Sequence, residues 1–125
     1  MKEVLAIKLK DCQSAMMGFS NLSRLNFKAS FAYRISKITK KLKSINTGID
    51  ETREKLLEKH LITHEMIKDV AFQETQTFQD CQKEYDEFME TEELIHGFEK
   101  INIEEFGEQN IAPEIFELIA PFIEE

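Results

Sequence analysis

The chain has 125 residues, room for one modest core but not for two. Two Pro and four Gly are too few turn residues for a β-sandwich, and no apolar run approaches the ~20 residues of a membrane span. The formal net charge of -8 is unevenly spread: residues 1–49 carry ten Lys or Arg against two Asp or Glu, whereas residues 50–125 carry six against twenty-two.

Such a split fits either a nucleic-acid or membrane face, or one half of the protein packed against the other, and the second reading is preferred. Cys12 and Cys81 lack metal-type spacing, which suits reduced cytosolic thiols. The opening MKEVLAIKLKDC holds an acidic residue and too short an apolar stretch for a signal peptide.

In chain order, Val4 to Lys10 alternates as a strand, with Leu5, Ile7 and Leu9 on one face and Lys8 and Lys10 on the other. Asp11 is the expected N-cap of a short helix from Cys12 to about Leu22, whose buried face is Met16, Phe19 and Leu22. Ser20 to Asn26 reads as its exit turn, and Asn26 or Ser30 as the cap of the next helix. That helix, from Ser30 to about His60, organises the chain. Phe31, Ile35, Ile38, Leu42, Ile45, Ile49, Thr52 and Leu56 step alternately by four and three, a single narrow seam that another helix must cover.

Residues 61–77 are the least legible, with Ile62, Met66 and Val70 four apart in a short helix or a frayed continuation. Gln73 to Thr77 is the expected turn. A second seam then runs through Phe78, Cys81, Tyr85 and Phe88 on a strongly acidic helix expected to reach Ile95 and stop at Gly97. Folded back on the long helix, it sets Leu56 near Cys81, Ile49 near Phe88 and Leu42 near Ile95. The stretch from Phe31 to Ile38 then needs other cover, for which Met16, Phe19, Phe116 and Phe122 are available. Phe98 to Phe106, with Ile101 and Ile103 on one face, is the expected partner of the N-terminal strand, whose backbone donors need acceptors. Pro113 suits the first turn of a last helix, with Ile115, Phe116, Ile119 and Phe122 buried and Pro121 closing it. The fold class expected is mainly α, one domain over 1–125: an antiparallel long-helix hairpin at about 30–60 and 78–95, short N- and C-terminal helices, and a minor two-stranded β element.

Three pieces, Phe27-Lys28-Ala29-Ser30-Phe31-Ala32-Tyr33-Arg34-Ile35-Ser36-Lys37-Ile38, Arg53-Glu54-Lys55-Leu56-Leu57-Glu58-Lys59-His60, and the ending with Ile111-Ala112-Pro113-Glu114 and Ile123-Glu124-Glu125, together resemble a family of small, largely uncharacterised proteins of tailed-phage and prophage genomes. The family begins the long helix with Pro-Ala-Lys-Leu-(Ser/Ala)-Tyr-(Lys/Arg)-Ile-(Ser/Ala)-Lys and later shows Arg-x-x-Leu-(Leu/Ile)-Glu-Lys-Tyr. This chain has Phe27 near the family's proline, and LITHEMIKDVAFQETQ where the family has a Gly/Asn-rich turn. The resemblance implies a phage origin, with the host cytoplasm or the virion as location, and carries over no catalytic motif.

The sequence holds no Gly-rich phosphate loop, serine nucleophile signature or Cys-x-x-Cys. His60 and His64 lie four apart, but the order HLITHE is not that of a zinc protease, and neither Asp69 nor His96 is placed as a third ligand. No catalytic residue, metal or cofactor is assigned. Six cations without an acid, Lys28, Arg34, Lys37, Lys40, Lys41 and Lys43, could track a phosphate backbone, although they wrap the helix and lack interleaved exposed aromatics. The expected function is non-enzymatic: a phage protein that binds another protein as assembly factor, virion component or host modulator, including an acidic inhibitor. The alternative is a nucleic-acid-associated accessory protein using the basic face. The expected partner-binding residues are Leu61, Ile62, Met66, Ile67, Val70 and Phe72, too many apolar side chains to hide under one turn, with capping of the hairpin end as the competing role. Whether the protein is a monomer or a homo-oligomer is left open.

Overall fold

A computed structural model describes residues 3–124, without the side chain of Glu3; Glu125 of the terminal acidic motif lies outside the described residues. The fold is mainly helical, with the long helices α1 (Leu9–Leu22) and α2 (Ala29–Lys59) packed together. Strand β1 (Glu3–Lys8) precedes α1. After α2 come two one-turn helices, α3 (His64–Ile67) and α4 (Val70–Gln73), then α5 (Gln76–Met89) and β2 (Glu92–Phe98). A 3-10 turn at Ile103–Phe106, α6 (Pro113–Ile119) and a final 3-10 turn at Ala120–Phe122 complete the order.

The seam of α2 is covered by different helices along its length. Phe31, Ile35, Ile38 and Leu42 enter a main core with Phe19 and Leu22 of α1 and Ile119 and Phe122 of the C-terminal segment. Further along, Ile49 packs with Leu9 and Met89. At the end of the helix Leu57 rather than the expected Leu56 is the buried residue, Leu56 being half-buried against the same cluster with Cys81. The α5 helix therefore covers only the distal half of α2, running antiparallel to it. The proximal half is covered from within the chain by α1 and the C-terminal segment, as the length of the seam requires. Each such side chain gains about 1.5–3 kcal/mol on burial. The Phe19 and Phe122 rings meet edge to face at 5.2 Å between centroids, a geometry that adds about 0.5–1.5 kcal/mol.

The second strand is not the expected one. The acidic helix stops at Met89, and Glu92–Phe98 pairs antiparallel with β1, Leu5 opposite Ile95 and Ile7 opposite Glu93. Gly97 does not end a helix: it sits in β2 at φ +71, where the register slips between Glu3 and Val4, and makes a bulge that suits glycine. Of the predicted strand at 98–106 only Phe98 belongs to β2; the rest holds a single bridge, Ile101 to Ile123, and a 3-10 turn at Ile103–Phe106. Ile101 is fully buried while Ile103 is exposed, so the two do not share a face.

The strand runs into α1 without a loop. Lys8 is the N-cap residue and makes no side-chain cap; the Leu9 N–H donates to Thr91 O at 2.9 Å. The sheet thereby satisfies one of the donors that a side chain would otherwise have to cap. Asp11, expected as the cap, lies inside the first turn, where its charge favours the positive helix end. Similarly, Lys28 rather than Asn26 or Ser30 begins α2, with no side-chain cap.

Candidate functional site

The far end of the α2–α5 hairpin is built from backbone hydrogen bonds and caps. At the close of α2, Ile62 N–H donates to Leu57 O at 2.8 Å and Leu61 N–H to Glu58 O at 3.1 Å. This is the Schellman end, in which the residue after the cap takes the left-handed conformation and the next one packs back on the helix. Leu61 takes that conformation, at φ 57, and it is the only non-Gly residue with positive φ among the described residues. Ile62 packs back on Leu57. Three side chains then start three helices in succession. Thr63 accepts from Met66 N–H, Asp69 from Ala71 N–H and Thr75 from Phe78 N–H.

This arrangement divides the six residues expected to bind a partner. Ile62 is buried, and Met66, Ile67 and Phe72 are half-buried against Leu57 and Cys81, so these four serve as the hairpin cap. Leu61 and Val70 remain in solvent, 84% and 69% exposed. The expected patch of six is thus a cap of four and an exposed pair.

The basic face is likewise divided. Arg34 bridges to Glu105 and donates to Lys100 O at 3.1 Å, while Lys41 donates to His96 O. Both therefore tie α2 to the segment around β2. The ammonium of Lys37 lies over the Tyr33 ring, 5.6 Å from its centroid, and Tyr33 is 65% exposed. One exposed aromatic is thus interleaved with the cations, contrary to the sequence reading. Lys28, Lys40 and Lys43 are the members whose ammonium makes no ion pair, hydrogen bond or ring contact among the described residues. Lys40 and Lys43 border a groove of about 300 Å³ whose lining includes Leu22, Leu25 and Phe27.

Elsewhere, charge joins elements. Glu90 binds Lys8 at 2.8 Å and Lys10 at 2.7 Å; these hydrogen bonds hold its carboxyl down at about 2. Glu84, lowered chiefly by its bond to Lys59, also faces His60, whereas His64 bonds Glu54 at 3.0 Å. The two histidines thus pair with different carboxylates, and no group of three metal-ligating side chains exists among the described residues. Burial pushes the Cys12 thiol up to about 11 and raises that of Cys81, so both are poor nucleophiles at neutral pH. Among the described residues no helix is long and apolar enough to cross a membrane.

Comparison with protein-family models, curated proteins and solved structures finds no match. A reading of function therefore rests on the residues and geometry above.

Proposed function

We propose that the protein is non-enzymatic and works by binding another protein through the exposed end of its α2–α5 hairpin. The observation that carries this reading is Leu61. Its position is one that glycine or asparagine ordinarily fills, and a left-handed backbone costs an L-residue roughly 1–2 kcal/mol. The side chain recovers little of that cost within the monomer, being 84% exposed. A strained residue that presents an apolar side chain to solvent is what an interface anchor requires. Val70 supplies a second exposed apolar group on the same connection, in which Met66, Ile67 and Phe72 are half-buried against Leu57, Ile62 and Cys81. The resemblance to tailed-phage proteins supports a partner met in the infected host's cytoplasm or in the assembling virion.

Leu61→Gly is the test, because it removes the side chain while relieving the backbone. Folding stability should hold or rise, by up to about 1 kcal/mol once the entropy of the unfolded glycine is set against the relief. Capture of partner protein from infected cells should fall sharply, further still with Val70→Ser added. Undiminished capture by the stable double variant would rule out the hairpin end as the binding site.

A further inference from the structure

A second surface lies on the other half of α2, about 30 Å from Leu61 at 1.5 Å per residue. The groove bordered by Lys40 and Lys43 has an apolar floor, the half-buried Leu25 and Phe27 over the fully buried Leu22, and a hydroxyl wall that includes Ser36. No carboxylate lines it. The reason is visible in the chain itself: between Asp11 and Asp50 there is no acidic residue. Arg34 and Lys41, the cations of α2 that are bound internally, reach the segment around β2 and do not line this groove. Lys40 and Lys43 are exposed and have no ion pair among the described residues.

We infer that this groove docks an acidic amphipathic helix of a partner protein, its apolar stripe on Leu25 and Phe27 and its carboxylates on Lys40 and Lys43. The charge complementarity is one-sided: two free ammonium groups, no carboxylate, and apolar surface in the same groove. At about 300 Å³ the groove stands at the small end of ligand cavities, which span ~300–1,000 Å³, and takes one or two apolar side chains. Helix-in-groove recognition needs just such anchors at i and i+3 or i+4. A phosphate backbone fits less well. It rewards a row of free cations, and of the six on α2 two are bound internally and Lys37 rests on Tyr33. This surface is separate from the hairpin end and does not depend on it.

The probe is a fluorescein-labelled 18-residue helical peptide with leucine along one stripe and glutamate elsewhere, read by anisotropy on the full chain. Controls are a peptide of the same composition with the leucines scrambled, and labelled 20-nucleotide single-stranded and duplex DNA. The striped peptide should bind saturably and more tightly than any control, and more weakly as salt rises. Lys40→Glu with Lys43→Glu should weaken it about tenfold or more. Because both side chains are exposed, thermal unfolding of that variant should match the parent. Leu61→Gly should bind the peptide normally. Absence of saturable binding, equal binding by the lysine variant, or loss of binding in Leu61→Gly would each overturn the proposal. Tighter binding of DNA, sensitive to the same lysines, would assign the groove to nucleic acid instead.

Discussion

Gly18 and Gly48 both lie inside helices, where glycine costs about 1 kcal/mol relative to alanine. A Cβ on Gly18 would stand 2.6 Å from Ile119 Cγ2 and 3.0 Å from Leu118 Cβ, and Ile119 is fully buried with no room to retreat. The close approach of α1 to α6 depends on that missing carbon. At Gly48 a Cβ would meet nothing within 4 Å. Alanine substitutions should therefore have opposite signs. Gly48→Ala should stabilise by about 0.5–1 kcal/mol, whereas at Gly18 the overpacking cost of about 1–3 kcal/mol should exceed the helical gain. Urea midpoints of the two variants check this; a stabilised Gly18→Ala would show that α6 moves freely. Gly48 can be read from the sequence as a mild weakness inside α2, but the role of Gly18 cannot, because its partners lie some hundred residues further along the chain. Leu61 was hidden for a different reason. A Schellman end is usually signposted by glycine, and here the signpost is a leucine.

At the scale of elements, Glu90 is a clasp joining the end of α5 to β1 and the start of α1. Its carboxyl ionises near 2 against an ordinary 4.5, held there by hydrogen bonds from Lys10 and Lys8. The folded state thus binds its proton more weakly than the unfolded chain does. The clasp's contribution is present above about pH 4.5 and fades as pH falls toward 2. Glu90→Gln should flatten that part of the stability-against-pH curve, measured by urea unfolding at a series of pH values; overlapping curves would mean that solvent screens the clasp completely. Which elements could be read follows from where their signals lie. The α2 seam repeats seven times over its own length and is nearly self-evident. The boundary between α5 and β2 was missed because only Ile95 and Phe98 of β2 are buried, a pattern that a helix carries as easily as a strand. A charge at Glu92, on the expected seam, was the available warning. The caps Thr63, Asp69 and Thr75, six residues apart, were also on the page, and they break the connection into short helices.

For the whole molecule, the division into a basic and an acidic half is only partly internal neutralisation. Lys8 and Lys10 meet Glu90, Lys59 meets Glu84, and Arg34 meets Glu99 and Glu105. Lys28, Lys40 and Lys43 are among those left over, which is why the candidate sites could be named from sequence but not sorted. Periodicity finds Arg34, Lys37, Lys40, Lys41 and Lys43 all off the seam, yet only tertiary placement separates a tether from a free charge. The mainly helical architecture was legible because two long amphipathic segments dominate it. The pairing of β1 with β2 was not, since it joins residues 3–8 to residues 92–98, far apart in the chain. That same pairing bears on folding order. The α1–α2 pair closes over a short turn, whereas the sheet must bring residues 3–8 to residues 92–98 at a much larger loop entropy. Helix pairing should therefore precede the sheet in the folding transition state. In stopped-flow kinetics, Leu22→Ala should slow refolding, and Ile95→Val should chiefly speed unfolding. The opposite partition would mean that the sheet nucleates first. The strands then act as a latch, closed last and opened first, and the helices beneath it are the part that remembers the fold.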